Sequence, residues 1–190
     1  MFALRRPLIL ASNSPRRQQL LREMGYDFTV EVRETAEDFP VGMPSAEVPA
    51  YLAHKKARAF DGVREEIILT ADTVVIVEGS LLNKPADADE ARRMLRLLSG
   101  RMHEVVTGVC VRTREESRVF SDLARVFFRP LTDEEIDHYV RHYRPYDKAG
   151  AYGAQDWLGL VGIERIEGSY FTVMGLPTHR VYAALREFMQ

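Results

Sequence analysis

The first constraint on the fold is a strand that leads directly into the start of a helix. The apolar run at residues 8–11 indicates a buried strand, and Ser14 followed by Pro15 is typical of an N-cap and a first helical position. Arg16 and Arg17 then fall in the first helical turn, where free N–H groups and the helix dipole already create positive potential. Each arginine costs about 0.3 to 1 kcal/mol there unless an anion compensates its charge.

This strand, turn and helix start suit a bound phosphate or carboxylate. Backbone N–H groups and two guanidinium groups point to one place, and the hydroxyl of Ser12 adds a further polar group. Two solvated arginines beside an ordinary strand–helix turn are the alternative interpretation. These residues alone leave both interpretations open.

Length and charge limit the class of protein. A chain of 190 residues, 46% of them hydrophobic, can bury a core as one domain or as two closely packed lobes, and no linker-like stretch divides it. We therefore expect residues 1–190 to form one domain. A net charge of -2 gives no broad basic surface for a nucleic-acid polymer, so we expect any positive site to be local and to bind small anions.

Cysteine content and hydropathy bear on the compartment. Cys110 is the only cysteine and lies in an apolar strand pattern, which excludes an internal disulfide framework and a cysteine-rich zinc site. The sequence has no apolar run of about 18 residues, and residues 1–6 lack the apolar core of a signal peptide. We expect a cytoplasmic protein without a membrane partner, and a homodimer stays open.

Strand and helix patterns alternate along the chain. Apolar and β-branched runs predict strands at 8–11, 28–32, 67–77, 103–112, 117–128, 158–166 and 170–174. Caps and periodicity predict helices at 15–25, 45–60, 87–98, 132–143 and 178–189, with Ser45 as one cap and a capping box opened by Thr132. Because several strands follow one another directly, we expect an α/β fold with a mixed sheet and flanking helices.

Lys56 interrupts the apolar face of the helix predicted at 45–60. At about 100° per residue it falls near the centre of an arc of valine, leucine and alanine side chains, so we expect it to point inward. A buried ammonium needs an anionic partner, which makes Lys56 a candidate for contacting a carboxylate or a phosphate. Extension of its stem along the alanine-lined face to water is the alternative.

Asp72 is the only charged residue in the apolar strand at 67–77. Aspartate is depleted in strands and is rarely buried without a partner, so Asp72 must hold a metal, a cation or a proton. Catalysis is the most economical explanation, since basic residues are already expected nearby. A structural ion pair, with Lys56 as the partner, is the alternative.

Other polar candidates lie in loops. Lys84 follows a hairpin and can reach the cleft of Asp72, although a solvated turn lysine fits equally well. Glu37 and Asp38 lie in an acidic loop, where oxygen ligands for a magnesium-class ion are expected, although loop acids are usually solvated. The loop at 150–155 ends on Gln155, whose amide is able to read a base edge.

A series of ordered motifs spans nearly the whole chain, at residues 10–17, 52–57, 71–75, 83–85, 98–103, 147–155, 167–170 and 175–177. In these motifs the chain resembles the Maf family of nucleotide pyrophosphatases. The resemblance implies a two-lobed α/β fold like that of inosine triphosphate pyrophosphatases, with a nucleotide cleft between the lobes. It also implies cleavage of a nucleoside triphosphate to the monophosphate and diphosphate with a divalent cation.

The same resemblance implies roles for individual residues. The implied catalytic residues are Asp72, Lys56 and Lys84. The residues implied to contact substrate or to govern its choice are Ser12, Arg16, Arg17, Thr73 and Gln155. A Mg²⁺ or Mn²⁺ ion is implied at Asp72 and Glu37, and the loop acids that stay open in place of Glu37 are Glu34, Asp38 and Glu47.

The motif at 147–155 is similar to the branch of the family that acts on dTTP and UTP. CTP and modified pyrimidine nucleotides stay open as further substrates of this chain. The sister branch, which acts on 7-methyl-GTP, has a different loop there and often an aromatic residue in place of Arg16. Asp156 and Trp157 depart from the glycine that usually follows Gln155, and they add charge and bulk beside the expected base pocket. A purine or 7-methyl-GTP pyrophosphatase and a nucleotide-binding regulator of cell division stay open as alternatives.

Overall fold

The computed structural model describes residues 3–189 and confirms an α/β fold. Its strands are β1 (Leu8–Leu10), β2 (Thr29–Val30), β3 (Ile67–Val77), β4 (Ser80–Leu82), β5 (Met102–Arg112), β6 (Ser117–Phe128) and β7 (Ile163–Glu167). Its helices are α1 (Pro15–Glu23), α2 (Val48–Arg58), α3 (Ala88–Leu98), α4 (Asp133–Tyr143), α5 (Trp157–Gly162), α6 (Tyr170–Met174) and α7 (Thr178–Leu185). Short 3-10 helices lie at Ala149–Ala151 and Arg186–Phe188.

The strands form one mixed sheet in the order β2-β1-β3-β5-β6-β7, with β4 paired to β3. β1 runs parallel to both β2 and β3, and Leu10 lies opposite Leu69 of β3. β4 is antiparallel to β3, and β7 is antiparallel to β6. The mixed sheet predicted from consecutive strands is therefore confirmed.

The chain divides into two compact units, and the boundary within β3 falls between Asp72 and Thr73. The first unit comprises the residues up to Asp72, residues 107–122 and the residues from Gly175 onward. The second comprises residues 73–106 and 123–174. No helix among residues 3–189 has the length and apolar character needed to cross a bilayer.

In the first unit, small residues bring α2 close to the sheet. A Cβ atom on Gly108 of β5 would collide with the backbone of Pro49 and Ala50, so glycine is required at this approach. The hydroxyl of Thr70 in β3 donates to the carbonyl of Ala53 in α2 at 2.6 Å. These contacts fix the position of α2 along β3.

In the second unit, α3 and α4 pack over a core that includes the buried side chains of Tyr139 and Tyr152. Arg92 of α3 donates to Asp137 of α4 at 2.6 Å and links the two helices. Thr132 caps α4, and its capping box with Glu135 confirms the prediction from sequence. This core supports the segment that carries Gln155.

One predicted strand is wrong throughout, and another is wrong in its first part. The run at 170–174 forms α6, and residues 158–162 belong to α5, whereas residues 163–166 lie in strand β7 as predicted. Short apolar runs do not distinguish a buried strand from a short helix, and local hydrogen bonds decide between them. Leu160 N–H donates to the Asp156 carbonyl at 3.1 Å, and Thr172 N–H donates to the Ser169 carbonyl at 3.1 Å, which closes a helical turn in each run.

Three element boundaries also differ from the prediction. α2 begins at Val48 with Glu47 as its N-cap, because Ser45 belongs to a preceding turn in which Glu47 N–H donates to the Pro44 carbonyl at 2.8 Å. The strand expected at 28–32 is reduced to two residues, and the last α-helix ends at Leu185 before a 3-10 turn. Helix and strand ends are the least constrained by sequence pattern.

Candidate active site

The start of α1 forms one side of the candidate site. Ser14 takes the extended conformation of an N-cap and Pro15 opens the helix, as predicted. The Ser14 side chain makes no capping hydrogen bond, and its N–H donates instead to the hydroxyl of Ser12 at 3.2 Å. Ser12 is buried, so its hydroxyl lies inside this turn and not in solvent.

Arg17 extends from α1 and is fixed at two points. Its Nη1 lies 3.4 Å from the Ser12 hydroxyl, and its Nε donates to the Gly175 carbonyl at 2.8 Å. Burial lowers the pKa of the Arg17 guanidinium, while the negative charge of Asp72 raises it and the positive charge of Arg16 lowers it further. Arg17 is therefore a held, partly desolvated cation within electrostatic range of Asp72.

Lys56 lies between two carboxylates. Its Nζ donates to Asp72 Oδ1 at 2.6 Å and to Glu37 Oε1 at 2.8 Å. The side chains of Lys56 and Asp72 are 20% and 13% exposed, whereas that of Glu37 is 54% exposed. The structure thus brings the inward lysine, the strand aspartate and the loop glutamate into one cluster.

The pairing of Lys56 with Asp72 follows from the way α2 lies on β3. Residues two apart on a strand share a face, so Thr70 and Asp72 point the same way. Residues three apart on a helix also share a face, which places Ala53 and Lys56 together. The hydrogen bond from Thr70 to Ala53 therefore sets Lys56 against Asp72.

The acidic loop before α2 contributes two carboxylates to two consecutive lysines. Asp38 accepts from Lys55 Nζ at 2.6 Å, and this hydrogen bond lowers the pKa of Asp38. Glu37 accepts from Lys56 and so shares a cation with Asp72. Of the loop acids considered from sequence, Glu37 is the one placed beside Asp72 by these contacts.

Three candidate residues belong to the second unit. Thr73 follows Asp72 in β3 and is half-buried. Lys84 is exposed and lies just after β4. Gln155 is half-buried, and within the described residues its Oε1 atom is buried without a hydrogen-bond partner. An unmatched buried carbonyl costs about 1 to 3 kcal/mol.

His103 has a structural setting in β5. It is buried in β5, its Nε2 lies 2.7 Å from the Tyr152 hydroxyl, and its ring meets Phe128 edge to face. Burial lowers the pKa of His103 to about 4. The neutral ring therefore anchors Tyr152, three residues before Gln155.

The carboxylates of Asp72 and Glu37 are candidate ligands for a divalent cation. No group of three or more metal-binding side chains occurs among residues 3–189, but Asp72 and Glu37 converge on one ammonium. Magnesium in phosphate-transfer sites is commonly held by one or two carboxylates, with substrate phosphates and water completing its shell. Two hard carboxylates in this arrangement fit such an ion.

Several residues of the site and its surroundings were not found from sequence. The carbonyl of Gly175 holds Arg17 although the two residues are 158 positions apart, and the only signal was its place in the motif at 175–177. Tyr139, which contacts the segment of Gln155, lies within the helix predicted at 132–143 and belongs to none of the motifs. Neither contact has a local sequence signature.

Comparison with known proteins places this geometry in context. Residues 7–188 match the model of the Maf-like protein family. The chain is 50% identical over 186 residues to the dTTP/UTP pyrophosphatase of Porphyromonas gingivalis, covering 95% of this chain and 94% of the relative. It is 46% identical over 180 residues to the protein of the same name from Flavobacterium psychrophilum, covering 94% and 92%. A third dTTP/UTP pyrophosphatase, from Cytophaga hutchinsonii, is 44% identical over 181 residues, covering 95% and 83%.

Proposed function

Since the chain belongs to the Maf family, we propose that it is a nucleoside triphosphate pyrophosphatase that hydrolyses dTTP and UTP to the nucleoside monophosphate and diphosphate. The names of relatives that are 44% to 50% identical support this substrate class. The observation that carries the proposal is that Lys56 donates hydrogen bonds to both Asp72 and Glu37. The negative charges of these two carboxylates also act on the guanidinium of Arg17.

The cations of the first unit suit the charge of a triphosphate. Attack at phosphorus requires that the phosphate charges be neutralised and that the diphosphate leaving group be stabilised. Arg16, Arg17 and Lys56 supply three positive groups, and Ser12 supplies a hydroxyl. Lys84 is proposed as a further phosphate contact.

Asp72 is proposed as the group that activates water. Its carboxylate can accept a proton from an attacking water while Lys56 holds its other face in place. A covalent intermediate is not needed. Burial raises the pKa of the Cys110 thiol to about 12, so this cysteine lacks the thiolate character of a nucleophile.

Asp72 and Glu37 are proposed to hold Mg²⁺ or Mn²⁺ together with the substrate phosphates. When bound, such an ion would offset phosphate charge and lower the pKa of a coordinated water. The chain's own contribution is to keep two carboxylates adjacent, which Lys56 achieves by donating to both.

Gln155 is proposed to read the base. Uracil and thymine present a ring N–H between two carbonyls, and the buried Oε1 of Gln155 has room for one donor. Cytosine has no hydrogen on the corresponding ring nitrogen, and a purine is larger. This chemistry supports a preference for dTTP and UTP over CTP, GTP and 7-methyl-GTP.

We propose a cytoplasmic location, with the number of chains in the assembly as a separate question. A single buried cysteine and a small anionic substrate are consistent with work in the cytoplasm, as a monomer or as a homodimer. Size-exclusion chromatography with light scattering would give the number of chains.

A product assay across a nucleotide panel tests the proposed function. We expect dTTP and UTP to yield diphosphate and nucleoside monophosphate in one step, with much lower rates for CTP, inosine triphosphate and 7-methyl-GTP. Sequential release of orthophosphate would contradict the reaction, and preference for a purine would contradict the substrate class. Tight nucleotide binding without turnover would favour a regulatory protein instead.

A further inference from the structure

One phenol hydroxyl closes the turn that carries Gln155. The Tyr139 hydroxyl donates to Asp156 Oδ2 at 2.7 Å and accepts from the Gly153 N–H at 3.1 Å. The Asp156 N–H also donates to the Gly153 carbonyl at 3.1 Å. Gln155 is therefore held between two residues that are tied to the same side chain.

Tyr139 is a rigid anchor for this turn. It lies in the middle of α4, its side chain is fully buried in the core of the second unit, and its ring stacks on that of Tyr143 at 4.9 Å. A hydroxyl both donates and accepts, and here both capacities are used by the turn. The turn at residues 153–156 is consequently held in a fixed position relative to α4.

The absence of a side chain at Gly153 leaves room for the carboxylate of Asp156. A Cβ atom at position 153 would lie 2.6 Å from Asp156 Oδ2, closer than real Cβ contacts allow. The Asp156 carboxylate is only 17% exposed, and Lys148 Nζ lies 3.7 Å from the same oxygen. The carboxylate is thus directed at Tyr139 and Lys148.

The side chain of Gln155 differs in this respect from its neighbours Gly153 and Asp156, which both bind Tyr139. The buried Oε1 of Gln155 has no hydrogen-bond partner within the described residues. A buried carbonyl oxygen left without an internal partner on a firmly held turn is arranged for an external donor, because an unmatched buried group is costly in the free protein.

We propose that Tyr139 and Asp156 are positioning residues that orient Gln155 toward the ring N–H of a uracil or thymine base. The inference rests on the proposed function, and it assigns Asp156 to support of the reading residue instead of direct contact with the base. We call the two hydrogen bonds of the Tyr139 hydroxyl, to Asp156 and from Gly153, the brace of this turn. A small displacement of the residue that contacts the base reduces discrimination between similar substrates, so the brace affects specificity more than basal turnover.

Removal of one hydroxyl tests the inference. Tyr139→Phe keeps the ring in the core and removes both hydrogen bonds to the turn. We expect the ratio of kcat/KM for UTP to that for CTP to fall about tenfold or more, with little change for CTP. Tyr143→Phe is the matched control, since Tyr143 lies on the same helix and its hydroxyl makes no hydrogen bond within the described residues.

A double variant separates positioning from general destabilisation. If Tyr139 acts through Gln155, then Tyr139→Phe added to Gln155→Ala causes no further loss in the UTP to CTP ratio. An equal loss on every nucleotide, or a loss that adds fully to that of Gln155→Ala, would overturn the inference. Thermal melting of each variant shows whether it is folded.

Substitutions of Asp156 keep the test decisive if Tyr139→Phe folds poorly. Asp156→Asn retains an acceptor for Tyr139 and should keep the UTP to CTP ratio within about threefold, whereas Asp156→Ala should lose it. If Asp156 contacted the base directly, Asp156→Ala would lose the ratio while Tyr139→Phe preserved it, and the inference would be wrong. The wild-type protein is assayed in parallel, and its failure to hydrolyse UTP would overturn the proposed function itself.

Discussion

At the scale of single residues, the proposed reaction depends on the Asp72 carboxylate, which accepts a hydrogen bond from the Lys56 ammonium. Asp72→Asn keeps the size and the acceptor oxygen of the side chain but removes its charge and its capacity to take a proton. We expect turnover of UTP to fall roughly 100-fold or more, with an unchanged far-UV circular dichroism spectrum. Turnover near the wild-type level in the folded variant would contradict the assignment of Asp72.

Lys56 offers a second test at this scale, with its neighbour as the control. Lys56→Met keeps an apolar side chain of similar length and removes only the ammonium between Asp72 and Glu37. We expect kcat/KM for UTP to fall roughly 100-fold, and Lys55→Met, which breaks the exposed pair with Asp38, to stay within about threefold of wild type. Normal activity per folded molecule of Lys56→Met would show that this lysine is purely structural.

At the scale of elements, the acidic loop between β2 and α2 carries Glu37, the proposed second ligand of the metal. Chelation of divalent cations should lower turnover by roughly 100-fold, and Mg²⁺ or Mn²⁺ should restore it. Glu37→Gln should raise the Mg²⁺ concentration for half-maximal activity by about tenfold, whereas Asp38→Asn should leave it unchanged because Asp38 pairs with Lys55. The assignment of Glu37 fails if the two variants have the same Mg²⁺ requirement.

At the scale of the whole molecule, buried His103 links stability to pH. Its pKa is lowered from 6.5 to about 4 by burial, so the unfolded chain binds a proton that the folded chain rejects between these values. The free energy of unfolding should therefore fall as pH drops from about 6.5 to 4, with His103 contributing about 3 kcal/mol of this loss. Urea unfolding at pH 7 and pH 4.5 measures the loss.

A phenylalanine variant isolates this contribution. His103→Phe keeps an aromatic ring against Phe128 and removes the titrating group, so it should lose less stability between the two pH values than the wild-type protein. An identical pH dependence for His103→Phe and wild type would refute the role of His103.

Local patterns in the sequence determined much of this fold. The Ser14-Pro15 helix start, the capping box of Thr132 and the continuous strand β3 depend on interactions between residues a few positions apart, and each forms where it was predicted. The single charge in β3 and the inward lysine of α2 were also visible, because each breaks an apolar pattern. The sequence left open whether Asp72 and Lys56 pair with each other or with other groups.

Only the tertiary structure decided which groups meet. Sequence pattern could not distinguish short helices from short strands at 158–174, because a few backbone hydrogen bonds and the surrounding packing determine them. The contact of Arg17 with Gly175 joins residues 158 positions apart, and the brace from Tyr139 to Asp156 joins a helix interior to a turn. A residue's type and spacing determine what it can donate, accept or bury, but the partner it reaches depends on where the packed helices and strands place it.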